Sequence, residues 1–151
     1  MKKWVTAIVL LLFALLETES AGSDIDLLEP VAALQVITEP EGIRIMTDTG
    51  SEGYGETISR CVNNLHESAS SVIFLDTVQY LLVDREAYLA ELEPILRPAC
   101  QVCLALGPVD LELVPRYLKV HDRKTTLLDY RAEAAELPLL YSKEGRSQIV
   151  P

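Results

Sequence analysis

The chain has 151 residues, 49% of them hydrophobic and 24% charged, and carries a formal net charge of −10 at neutral pH. That is enough material for one hydrophobic core and too little for two ordinary ones. The acidic balance repels phosphate backbones, and no basic stripe interleaved with aromatic residues offsets it, so nucleic acid is excluded as the expected partner.

In chain order, Lys2 and Lys3 come first, followed by an unbroken apolar stretch from Trp4 to Leu16 and then the small residues Thr18, Ser20, Ala21 and Gly22. A bilayer span takes about 20 apolar residues, whereas the core of a secretory signal takes about 7–15. Residues 1–21 are therefore expected to be an export signal cleaved after Ser20 or Ala21, with an uncleaved anchor as the alternative. The protein is then periplasmic or secreted, with no stable membrane insertion after signal cleavage. No cysteine stands at the junction, which argues against a lipid anchor. Removing Met1 to Ala21 takes away Lys2, Lys3, Glu17 and Glu19, so the charge of −10 is unchanged.

Residues 22–42 are acidic and broken by Pro30, Pro40 and Gly42, the composition of a linker; within them Val31 to Ile37 suits an edge strand or a short helix. The domain itself is expected over residues 43–142. Ile43 to Thr47 is strand-like, and Asp48 to Gly55 behind it is turn chemistry. Ile58, Cys61, Val62 and Leu65 form one stripe of an amphipathic helix, and Val72 to Leu75 is a buried-type strand. Strand, helix and strand in this order make a βαβ unit with parallel strands.

Asp84 is a suitable cap for a helix bearing Tyr88, Leu89 and Leu92, which Pro94 bends or stops. The apolar run Pro98 to Gly107 reads as a buried strand, although a buried helical turn fits so short a run as well. Val109 to Val114 suits one or two helical turns, and Tyr117 to Val120 a short strand or extended loop. Thr125 or Thr126 caps a last helix to about Glu136, with Leu127, Leu128, Arg131 and Ala135 as its periodic set. Leu139 to Tyr141 is a last strand, and residues 143–151 a polar tail. The fold class is thus α/β: a single domain with a mostly parallel sheet flanked by helices, layered like a flavodoxin.

Chemistry concentrates on the cysteine run. In open α/β sheets ligands gather outside the carboxyl ends of the strands, and Cys103 falls near that end of its strand. It is the candidate catalytic residue, provided a helix N-terminus or a cation such as Arg116, His121 or Arg123 lowers its pKa from about 8.5. The competing reading is a buried cysteine packing as a small hydrophobe. Cys100-x-x-Cys103 invites a redox role, but in a strand side chains three apart point to opposite faces. Cys61 lies on the buried stripe of the first helix and either pairs with Cys100 or Cys103 in an oxidising compartment or simply packs. One C-x-x-C with only His66 and His121 is a poor zinc signal, and no metal or cofactor is expected. His66 reads as a helix-end histidine and His121-Asp122 as a polar loop pair. Gly50 to Gly55 lies where backbone N–H groups can hold an anion, but it lacks P-loop or dinucleotide spacing and reads as a flexible turn.

The order of these elements resembles the DsrE/DsrF-like family of small α/β sulfur-relay proteins, which includes the Tus-type carriers. The matching features are the strand and small-residue turn of Ile43 to Gly55, the strand Val72 to Leu75 with Asp76 to Leu82 after it, and Gln101 to Gly107 with its cysteine. Arg97-Pro98 stands where the family has a glycine, and Cys100 is an addition. The resemblance implies that the loop after Leu75 borders the active crevice. It implies too that Cys103 accepts sulfane sulfur as a persulfide from a donor protein or small thiol, and that the chain forms a homo-oligomer. The alternative function is a non-catalytic envelope protein that binds or assembles with a partner, its cysteines silent or disulfide-bonded.

Overall fold

The computed structural model describes residues 28–121, 125–133, 136–143 and 146–150. The strands are β1 (Leu28–Pro30), β2 (Ala33–Glu39), β3 (Gly42–Thr47), β4 (Glu52–Gly55), β5 (Val72–Phe74), β6 (Tyr80–Val83), β7 (Gln101–Leu106), β8 (Leu139–Lys143) and β9 (Arg146–Val150). The helices are α1 (Ile58–Ser68), α2 (Ala87–Leu92), α3 (Val114–Val120) and α4 (Leu127–Glu133).

Seven strands form the main sheet in the order β4-β3-β2-β6-β7-β8-β9. The inner four, β2, β6, β7 and β8, are parallel, and antiparallel hairpins extend both edges. The expected α/β layering is therefore present: a mostly parallel central sheet with helices against it. Its centre lies elsewhere than the sequence suggested. Residues 22–42 read as a linker, yet Ala33 to Ile37 is wholly buried and pairs with β3 on one side and β6 on the other. A strand covered on both faces is a near-continuous apolar run without alternation, which is why the period of two was missing from it.

The expected βαβ unit is also rearranged. β3 runs antiparallel between β2 and β4, and β5 leaves the main sheet to pair in parallel with β1. The true crossovers join β2 to β6, β6 to β7 and β7 to β8. Each advances the same way across the sheet, and right-handed crossovers advancing in one direction place their helices on one face. Accordingly Ile58, Cys61, Val62 and Leu65 of α1, Leu89 and Leu92 of α2 and Leu127 of α4 share one core with Leu34, Val36, Leu81, Val83 and Val102 of the sheet. The opposite face carries a smaller core, in which Leu111, Val114 and Leu118 of α3 and the segment before it cover Ala33, Leu82, Cys103, Ala105 and Leu140.

Local chemistry explains several boundaries. Thr57 caps α1, its side chain accepting the Arg60 N–H at 3.3 Å. Thr126 caps α4 by accepting from the Asp129 N–H while the Asp129 carboxylate accepts the Thr126 N–H, a reciprocal capping box. Asp84 does not cap α2: it accepts the Thr38 N–H at 2.7 Å and so ties the end of β6 to β2. Tyr117 to Val120 is helical, because Val114 and Leu118 continue the period of Leu111. Residues 146–150, expected as tail, pair with β8. Residues 1–21 and Ala135 lie outside the described residues.

Candidate functional site: the cysteine strand and its surroundings

Cys103 is the third residue of β7 and faces the smaller core, between Leu82 of β6 and the underside of α3. It is 3% exposed, and burial pushes its thiol up to about 12. At pH 8 such a group is thiolate about one part in ten thousand. Among the described residues no cation offsets this. Arg116 is exposed on the side of α3 away from the sheet, His121 stacks on Tyr117 with ring centroids 4.3 Å apart, and Arg123 lies outside the described residues.

Cys100, just before β7, is 1% exposed in the larger core on the other side of the sheet. Burial, with a smaller contribution from Cys103, pushes it up to about 12 as well. The two thiols of the C-x-x-C therefore sit on opposite faces, as alternation in a strand requires. Cys61 is buried beneath β3 and β4, donating to the Ile43 carbonyl oxygen at 3.2 Å, and its thiol is raised by burial. All three cysteines are free. Cys61 and Cys100 share the larger core, but β2 and β6 stand between β3 and β7, a separation of about 14 Å at ordinary strand spacing. A disulfide needs Cα atoms within about 7 Å.

The reason for expecting ligands at the strand tips also changes. Crevices at the carboxyl end form where strand order reverses, and β2, β6, β7 and β8 lie side by side in chain order. The tips are tied down instead. Gln35, fully buried on β2, donates from Nε2 to the Gly107 carbonyl at 2.8 Å and accepts the Val109 N–H at 3.3 Å, which fixes the loop that leaves β7. Gly107 itself has φ +81°, the left-handed turn its lack of a side chain permits. On the other face of β2, Thr38 and Tyr88 share a hydrogen bond of 2.7 Å between their hydroxyls.

The glycine-rich segment is β4, not an anion loop. A Cβ on Gly53 would stand 2.3 Å from the Cys61 carbonyl oxygen, and one on Gly55 2.7 Å from Arg60 Cβ. These glycines let the backbone of α1 lie directly on the strand. At the other end of the parallel strands, where β6 and β7 begin, an open cleft of about 360 Å3 is lined by Asp76, Gln79, Arg97, Cys100 and Gln101. This is where the loop after Leu75 lies, so the expected crevice residues do border a depression, but at the amino end of the sheet, away from Cys103.

Among the described residues there is no cluster of three or more metal-ligating side chains, and no helix is long and apolar enough to cross a membrane. What the sequence reading missed is the outward side of α3, where Leu113 and Val120 are 50% and 78% exposed around Arg116. Their spacing of three and four residues was visible, but it competed with the alternation read over Tyr117 to Val120. Compared with protein-family models, with curated proteins and with solved structures, the chain matches none.

Proposed function

We propose that the chain is a non-catalytic binding or assembly domain of the cell envelope, its three cysteines serving as packing residues, in preference to a persulfide relay. The observation that carries this reading is the burial of all three thiols, two of them pushed up to about 12. A sulfur acceptor must present a thiolate to its donor, and neither the ionisation nor the access is provided for Cys103. The envelope location rests on the Lys2 to Ala21 pattern. The DsrE/DsrF-like resemblance enters only through the layered α/β fold.

The small β1–β5 sheet adds support. Leu28, Val72 and Phe74 are 44%, 56% and 40% exposed on its outer side, while Ile73 alone of β5 packs inward. Adjacent exposed apolar side chains of this kind are more often contact surface than accident. The test is incubation of the native protein with a sulfane-sulfur donor followed by intact mass. No adduct is expected on the wild type. One added sulfur, lost in Cys103→Ser, would restore the relay and overturn this reading.

A further inference from the structure

We propose that the slot between α2 and α4 binds a small amphipathic amine, its apolar body lying over Leu89 and Leu127 and its ammonium group on Glu86. This goes beyond the non-catalytic reading and stands without it, since no thiol lines the slot.

The first observation is the cavity. A concave space of about 320 Å3 opens between the two helices, at the lower end of the range that small-molecule sites occupy. Its origin is local sequence. Glu86, Ala90 and Glu93 are four and then three residues apart, so they share one side of α2, and that side meets Tyr130 and Arg131 of α4. A single methyl group stands between the two carboxylates. The space that a longer side chain would fill stays open down to Leu89 and Leu127, which belong to the larger core.

The second observation is how the slot is closed. The Tyr130 hydroxyl donates to Glu86 Oε2 at 3.0 Å, and Arg131 Nη1 donates to Glu93 Oε1 at 2.7 Å. Both bonds run from α4 to α2, and their ends on α2 are two turns apart, about 10 Å along the axis. A partner's helix, about 10–12 Å across with its side chains, does not lie along a slot bridged at two points. A compact molecule fits between the bridges.

The third observation is charge. Arg131 neutralises Glu93, whereas Glu86 is met by a neutral hydroxyl on one oxygen, and a carboxylate has room for about four hydrogen bonds. The lining therefore holds two carboxylates and one cation. Around it, exposed Arg85 is outnumbered by exposed Glu91 and Asp129, and the whole chain is at −10. A cationic donor is drawn to Glu86 and an anionic ligand is repelled.

The probe is 2-phenylethylamine, with 2-phenylethanol as its neutral counterpart, titrated into the 15N-labelled full chain. Residue-resolved NMR separates the slot from any uptake by the N-terminal apolar stretch. Saturable shifts are expected at the amides of Ala87, Ala90 and Tyr130, with the alcohol about five-fold weaker than the amine, the worth of one exposed ion pair. Glu86→Gln keeps an acceptor for Tyr130 and is expected to erase the preference for the amine while leaving the alcohol's affinity unchanged. Ala90→Leu, at an exposed helical site, is expected to abolish binding of both with the circular dichroism unaltered. No saturable shift at these amides, equal affinity for amine and alcohol, a preference that survives Glu86→Gln, or binding that survives Ala90→Leu would each overturn the proposal. So would shifts at the same amides on dilution alone, which would assign the slot to a second copy of the chain.

Discussion

The two sides of the central sheet are built differently. One is covered by α1, α2 and α4, whose side chains interlock with the apolar residues of that face, down to direct backbone contact of α1 at Gly53 of β4. Among the described residues the other has α3 and the segment before it over β6, β7 and β8, and where α3 stops it turns polar: Arg44 of β3 is held between Glu39 at 3.2 Å and Glu52 at 2.7 Å, with its guanidinium over the Tyr54 ring. The thick side fixes the fold, and the thin side leaves a helix with unsatisfied apolar surface. Cys100 and Cys103, on opposite sides, show that even the thin layer is enough to seal a thiol.

The contrast can be broken with paired truncations. Leu81→Ala, in the middle of the thick side, is expected to cost about 3–5 kcal/mol, and Leu118→Ala, under α3, about 2–3 kcal/mol because a single helix can settle into the void. Denaturant unfolding measures both, and equal costs would mean the sides are energetically alike. Gly53→Ala is expected to cost about 3 kcal/mol, as the added methyl must push α1 off β4. Gln35→Ala removes both bonds to the loop after β7 and is expected to cost about 2 kcal/mol, with faster amide exchange at Val109 as the local signature.

The smallest effect sharpens the comparison through pH. Cys100 and Cys103 stay protonated in the folded chain to about pH 12, whereas in the unfolded chain they ionise from near pH 9. Above pH 9 the unfolded state therefore binds fewer protons than the folded one, and stability present below that pH is lost as pH rises toward 12. Between pH 8 and 9.5 the loss is expected to be about 1 kcal/mol for each thiol, and Cys103→Ala should remove its share. Unfolding midpoints at the two pH values give the result.

How much of this was legible in the sequence depends on whether an element is amphipathic. The stripe Ile58, Cys61, Val62, Leu65 announced α1 because one of its faces meets water, and the cysteine run was bounded by Pro98 and Gly107-Pro108. β2 was hidden by its burial on both faces and by the polar Gln35, whose partners at Gly107 and Val109 are more than seventy residues away. β4 was disguised because its glycines, needed for helix contact, are also turn residues. β5 has the composition of an inner strand but buries only Ile73. Cys103 was placed on the correct strand, but its depth follows from α3, an element whose sequence was read as extended.

The central claim is that no thiol is reachable in the folded protein, and mass spectrometry after alkylation tests it most directly. The native chain, treated briefly with a maleimide at pH 7.5, is expected to gain no mass, and the same chain in guanidinium to gain one label on each of Cys61, Cys100 and Cys103. Rapid labelling of native Cys103 would contradict the account, as would any cysteine held in a disulfide.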